Sequence, residues 1–129
     1  MEILISDLQC SQLFLSEEKI KRVESWLTKE TIKEAPITIR LFSWSDKPVI
    51  LDGHTRTFVA SQKGLTHLPV ILDEEVMTES LEQLYQACVS WCKGGAVHSI
   101  SDLLPHILPQ EQYQREWIKR CQSYLAKLS

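Results

Sequence analysis

The residues Asp52-Gly53-His54-Thr55-Arg56-Thr57 bring together most of the side chains in this chain that can do chemistry. They lie between the apolar run "VIL" and the helix-like run "FVASQK". A strand that ends in glycine and runs straight into a helix leaves unpaired backbone N–H groups at the helix start, with partial positive charge. Phosphates bind at such ends. Gly53 lacks a Cβ, so the chain can turn sharply there and a ligand can approach. Thr55 and Thr57 offer hydroxyls, and Arg56 offers a planar fork that matches phosphate oxygens. His54 can donate hydrogen bonds or shuttle a proton near neutral pH. Asp52 can cap the helix, bind a metal or hold a substrate hydroxyl. Asp52 and His54 are therefore the candidate catalytic groups, and Gly53, His54, Thr55, Arg56 and Thr57 the candidate phosphate-binding set. Spacing alone also admits a capped, solvated turn. The stretch is not a Walker loop, and Gly53 has no companion glycines to make a dinucleotide fingerprint.

Other reactive types are more scattered. Cys88 and Cys92 stand four apart, with His98 following, and two helical ligands at that spacing can hold zinc. Both cysteines also fall on an apolar stripe, where a free thiol behaves as a small core residue. Cys121 falls on the apolar face of the last helix and reads the same way, so no metal site is expected. Trp26, Trp91 and Trp117 sit on or beside apolar helix faces, as core residues or as a patch that binds a partner. Trp44 sits in a turn, where an exposed indole can stack on a base or mark an interface. His67 and His106 read as surface or satisfied residues.

Several elements must position the turn. Residues 3–5 suit a short strand. "SEEKIKRVESWLTKE" reads as a helix over 16–30, capped by Ser16, with Glu17 and Glu18 at the positive end of its dipole. In "PITIRLF", Ile37, Ile39 and Leu41 alternate with Thr38 and Arg40, the period of a half-buried strand. "SWSDK" is a turn, and "PVIL" completes a hairpin. A helix from His54 stops at Gly64, and "HLPVIL" is the next strand. Leu81, Leu84, Tyr85, Cys88, Val89 and Cys92 form one helical stripe that ends at Gly94-Gly95. "SISDLLPHIL" reads as a short helix broken near Pro105. A last helix from Pro109 carries Tyr113, Trp117, Cys121, Tyr124, Leu125 and Leu128 on its apolar face. The order is β-α-β-β-α-β followed by three helices.

The chain has 129 residues, the size of one domain, and a formal net charge of −3. That charge argues against life on a phosphate backbone, since nucleic-acid affinity rests on clustered Lys and Arg. The start, "MEILISDL", has no basic region or long apolar stretch of a signal peptide, and no run approaches a membrane span. A cytoplasmic location with four reduced cysteines is the expectation.

The whole pattern, a hairpin, D-G-H-x-R, a helix, then G-L, two residues and P-V-I, resembles the ParB/sulfiredoxin superfamily. "VILDGHTRTFVASQKGLTHLPVIL" carries the likeness, and "ISDLQCSQLFLSEEKIKRVESWL" resembles that family's opening strand and helix. The likeness covers roughly residues 1–75. It implies that Gly53 is a close-approach glycine, that Arg56 holds a phosphate, and that His54 and Thr55 line the same site. Asp52 matches the acidic residue of the D-G-H-x-R form found in the branch similar to free serine kinases. Cys10 falls near the implied pocket.

The chain also departs from the family. Sulfiredoxins carry their reactive thiol where this chain has His54. In the kinase-like branch a glutamate acts near the position that Gln12 takes here, and Glu17 or Glu18 replaces it only if the backbone brings one to the pocket. ParB clamps carry a basic DNA-binding domain downstream. Residues 79–129 here balance Glu79, Glu82, Asp102, Glu111 and Glu116 against Lys93, Arg115, Lys119, Arg120 and Lys127.

The expected fold is a small α/β (α+β) mixed sheet with helices over 1–75, within a single domain of 1–129 that includes a helical C-terminal extension over 76–129. The expected activity is binding of a nucleoside triphosphate with magnesium, with weak phosphotransfer or hydrolysis as an extension of it. The alternative is a non-enzymatic interaction module that pairs with itself or a protein partner through the C-terminal helices. A DNA-associated role stands behind both.

Overall fold

The computed structural model describes residues 1–128. It is a mixed α+β structure built on a four-stranded sheet. The strands are β1 (Glu2–Leu4), β3 (Ile37–Arg40), β4 (Val49–Asp52) and β5 (His67–Leu72), in the order β1-β5-β3-β4. β1 pairs antiparallel to β5, β5 parallel to β3, and β3 antiparallel to β4. The expected hairpin is therefore present. Ile37, Ile39, Leu68 and Val70 alternate inward as period two requires, while Val49 and Ile50 are both buried. Each such side chain contributes about 1.5–3 kcal/mol through burial.

Helix α1 (Glu17–Glu24) packs against α2 (His54–Gln62), which also lies on β3. Ser16 caps α1 as expected, its hydroxyl accepting the Lys19 N–H at 3.3 Å. The helix is shorter than the sequence predicts. Thr28 and Thr31 build a local turn, with the Thr31 hydroxyl accepting the Thr28 N–H at 2.7 Å and donating to the Trp26 carbonyl at 2.7 Å. Lys63 then donates its ammonium to the carbonyls of Glu24 and Leu27, at 2.9 and 2.6 Å. The carbonyls at the end of α1 are satisfied without another helical turn.

A second sheet has no counterpart in the sequence reading. β2 (Leu15–Ser16) pairs in parallel with β6 (Ile107–Leu108). The segment read as a broken helix is instead a 3₁₀ helix, Ile100–His106, that contains Pro105 and runs into β6. Two-residue strands carry no periodicity, and each forms only because its partner is already beside it.

The C-terminal helices are α3 (Glu79–Gly94), α4 (Gln110–Tyr113) and α5 (Lys119–Lys127), with a π-helical stretch at Gln114–Ile118 joining the last two. Tyr113 and Trp117 are buried in the same apolar cluster as the sheet residues, together with Cys88 and Cys92. The extension thus uses part of its apolar face to complete the core. Among the described residues, no helix is long and apolar enough to cross a membrane.

Candidate functional site

The turn at the end of β4 is held from three sides. Residues 9–11 run alongside β4, with the Gln9 N–H on the Pro48 carbonyl at 2.8 Å and the Ile50 N–H on the Gln9 carbonyl at 3.0 Å. This brings the Ser11 N–H onto His54 Nε2 at 2.9 Å. His54 is buried, and burial lowers its pKa to about 3. The ring is therefore neutral, with its proton on Nδ1 and Nε2 accepting. The expected proton shuttle near neutral pH is corrected: desolvation of the imidazolium holds the ring out of the physiological range.

Gly53 has φ +113°, and a Cβ there would sit 2.5 Å from Ile37 Cγ2 and 2.9 Å from Ile37 Cβ. The glycine is required by the left-handed backbone and by packing on β3, before any ligand is considered. It stands at the N-cap of α2, and no side chain caps that end. Asp52 is not the helix cap that the sequence allowed. Its Oδ2 lies 3.0 Å from Arg56 Nη2, with 79% of its side chain exposed.

Arg56 is largely committed to the protein. Its Nη1 donates to the carbonyls of Ala35 and Pro36 at 3.1 and 3.0 Å, tying the start of α2 to the segment that leads into β3. Its Nη2 pairs with Asp52, and the side chain lines the cleft beside the turn. Thr57 is fully enclosed, and its hydroxyl donates to the Gly53 carbonyl at 2.8 Å. It supports the turn from behind and leaves the set of groups that can meet a ligand. Thr55 keeps its place beside the cleft.

That cleft has a volume of about 460 Å³. Sequence reasoning missed half of its walls. Besides the turn, it is lined by Lys19, Arg22 and Val23 of α1, by Trp26, by Ala35, by Gln12 and by Tyr113 of α4. Lys19 and Arg22 are one helical turn apart and so share a face, but nothing in the sequence said that this face meets the D-G-H-x-R turn. Trp26, expected beside a core, is 38% exposed because α1 stops short of it. Gln12 donates its amide to the Phe14 carbonyl at 2.9 Å and to the Tyr113 hydroxyl at 3.0 Å. The Lys19 ammonium lies 5.0 Å from the centroid of the Tyr113 ring. Burial pushes the Tyr113 phenol up to about 12, so it stays protonated. Glu17 and Glu18 do not reach the cleft, and Glu17 pairs with Lys21 at 3.1 Å.

Three cations, Lys19, Arg22 and Arg56, thus surround an uncapped helix end, with Asp52 the single carboxylate on the walls. The local charge is positive in a chain whose formal net charge is −3. A larger cleft of about 710 Å³ lies between Leu27, Ile32, Lys63 and the Gly64–His67 turn. Lys29 and Lys33 line it too, and its Lys63 is already engaged with two carbonyls.

The remaining candidates fall elsewhere. Trp44 is half-buried, stacks on Phe42 at 4.6 Å between ring centroids and donates to Glu82 at 3.2 Å, so it is not an exposed loop indole. Cys10 is buried, which pushes its thiol up to about 12 and leaves it inert. Cys88 and Cys92 are core residues, while the exposed His98 gives its backbone N–H to Asp102 at 2.9 Å.

No protein-family model matches the chain, and no curated protein matches it either. Its fold is similar to that of a free serine kinase in complex with AMP, with a TM-score of 0.46 and 13% identity over 67% of this chain and 42% of that one. It is also similar to protein Atu1540 from Agrobacterium tumefaciens, with a TM-score of 0.43 and 13% identity over 76% of this chain and 48% of that one. A third is the C-terminally truncated chromosome-partitioning protein ParB from Caulobacter crescentus, complexed to the centromeric parS site. There the TM-score is 0.45 and the identity 17%, over 88% of this chain and 76% of that one. The chain spans less than half the length of the kinase and of Atu1540.

Proposed function

We propose that the cleft binds a nucleotide, with its phosphates at the start of α2 and its base toward Trp26. The observation that carries this reading is the convergence of the uncapped N-terminus of α2 with Lys19, Arg22 and Arg56 in one cleft. Free N–H groups and cations together are what a polyphosphate needs. The exposed face of Trp26 gives a base a surface to stack on. The likeness of the D-G-H-x-R turn to the ParB/sulfiredoxin superfamily points the same way.

A magnesium ion on the phosphates would have one protein carboxylate within reach, Asp52. That suits an ion that takes most of its ligands from phosphate oxygens and water. His54 is neutral, with Nε2 engaged, Gln12 has no basic oxygen to take a proton, and the Asp52 carboxylate is paired with Arg56, so the walls favour binding over turnover.

Isothermal titration of the folded chain with ATP, CTP, GTP and ADP, with and without Mg²⁺, tests the proposal. The expected result is saturable binding that weakens with salt and drops about tenfold in each of Lys19→Gln and Arg22→Gln, the value of roughly one lost charge-assisted hydrogen bond. Absence of heat and of thermal shift with every nucleotide would overturn it. Lys19 and Arg22 are the informative positions, because Arg56 also holds the backbone together.

A further inference from the structure

α3 and α5 lie side by side, with Trp91 and Tyr124 edge to face at 5.5 Å between centroids. The Arg120 guanidinium sits 4.3 Å over the Trp91 ring. In this seam the sulfurs of Cys88 and Cys121 are 4.0 Å apart. All four cysteines are free. We propose that Cys88 and Cys121 form a redox pair that closes to a disulfide under peroxide and staples the C-terminal helix to α3.

The two thiols differ in ways that assign their roles. Cys88 is enclosed at 4% exposure, whereas Cys121 is half-buried and reachable. The hydrogen bond between them and the burial of Cys88 push the Cys88 thiol up, while the same contact, with help from the Arg120 guanidinium, lowers that of Cys121. Cys121 is thus the attacking thiolate and Cys88 the resolving thiol. The Cys121 thiolate attacks one oxygen of hydrogen peroxide, breaking the O–O bond. This gives the sulfenic acid and a hydroxide, which takes up a proton to become water. The Cys88 sulfur then attacks the Cys121 sulfur and expels the second oxygen as hydroxide. The Cys88 proton converts that hydroxide to water. In sum, two thiols and one peroxide become one disulfide and two waters.

Closing the bond moves the sulfurs from 4.0 Å to about 2 Å. Cys92 and Cys10 are both buried. The helical run from Gln110 to Lys127 that carries Cys121 also carries Tyr113, a wall of the cleft. The disulfide therefore anchors the far end of that wall.

The test is peroxide treatment of the reduced full chain, followed by alkylation and peptide mapping without reductant. The expected product is lighter by about 2 Da, through loss of two hydrogens. It should link the peptides of Cys88 and Cys121, and melt several degrees higher until dithiothreitol is added. Cys121→Ser should abolish the reaction. Cys88→Ser should leave a dimedone-reactive sulfenic acid on Cys121. Links through Cys10 or Cys92, or wild-type Cys121 advancing to sulfinic acid with Cys88 still free, overturn the proposal. Wild-type mapping and the half-buried Cys121→Ser decide the matter even if Cys88→Ser does not fold. Neither readout depends on nucleotide binding.

Discussion

The backbone N–H of Ser11 donates to His54 Nε2 at 2.9 Å, joining the loop before β2 to the first residue of α2. The bond exists only while the ring is neutral, because an imidazolium has no acceptor nitrogen. The folded-state pKa of about 3 lies below the ordinary value of 6.5, so between those values the unfolded chain binds a proton that the folded chain refuses. This contribution to stability is full above about pH 6.5 and is lost as pH falls toward 3, at about 1.4 kcal/mol per unit at the steepest. NMR should show the His54 ring as the Nδ1–H tautomer with flat shifts from pH 8 to 5. A midpoint near 6.5 would contradict it.

Gly53→Ala should destabilise the protein by more than about 2 kcal/mol, from left-handed strain together with the clash against Ile37. Urea denaturation measures it. A change under about 0.5 kcal/mol, typical of an uninvolved surface site, would show that the turn relaxes freely.

Arg56→Lys keeps the charge but not the fork. A lysine has one side-chain nitrogen, so it cannot stand both where Nη1 meets the Ala35 and Pro36 carbonyls and where Nη2 meets Asp52. The expected loss is about 1–3 kcal/mol of stability, largely independent of salt because the donors meet backbone carbonyls. A loss that vanishes at high salt would assign the effect to the exposed Asp52 pair instead.

Trp26→Ala separates base from phosphate. If a base stacks on the indole, nucleotide affinity falls by about 1–3 kcal/mol, while binding of inorganic pyrophosphate is unchanged. Equal losses for both ligands would place the base elsewhere. Titrating the same two ligands into wild type and variant decides it.

Gln12→Glu does not restore a catalytic carboxylate for free. It removes the amide that donates to Phe14 and Tyr113, at a cost of about 1–3 kcal/mol. The variant should melt lower than wild type, and an unchanged melting temperature would show that the amide is dispensable.

The amino-acid sequence by itself determined the local elements. Alternation in "PITIRLF" dictated β3, the Asp52-Gly53 break and Gly64 bounded α2, and the stripe through Cys88 and Cys92 predicted α3 and its buried thiols. These follow from periods of two and 3.6 residues and from the backbone freedom of glycine, which are properties of neighbouring residues. Tertiary structure alone decided which of these elements meet. It paired Leu15–Ser16 with Ile107–Leu108 across a separation that no period spans. It ended α1 at Glu24, where Lys63, just past the end of α2, meets the carbonyls of Glu24 and Leu27, and so left Trp26 at the rim of the cleft. It turned Arg56 and Thr57 toward the protein, neutralised His54 by burial, and brought Lys19, Arg22 and Tyr113 to a turn far away in sequence. Charge and hydrogen bonding act through space, so the residue types of a site are readable along the chain, but its walls exist only once the chain has packed.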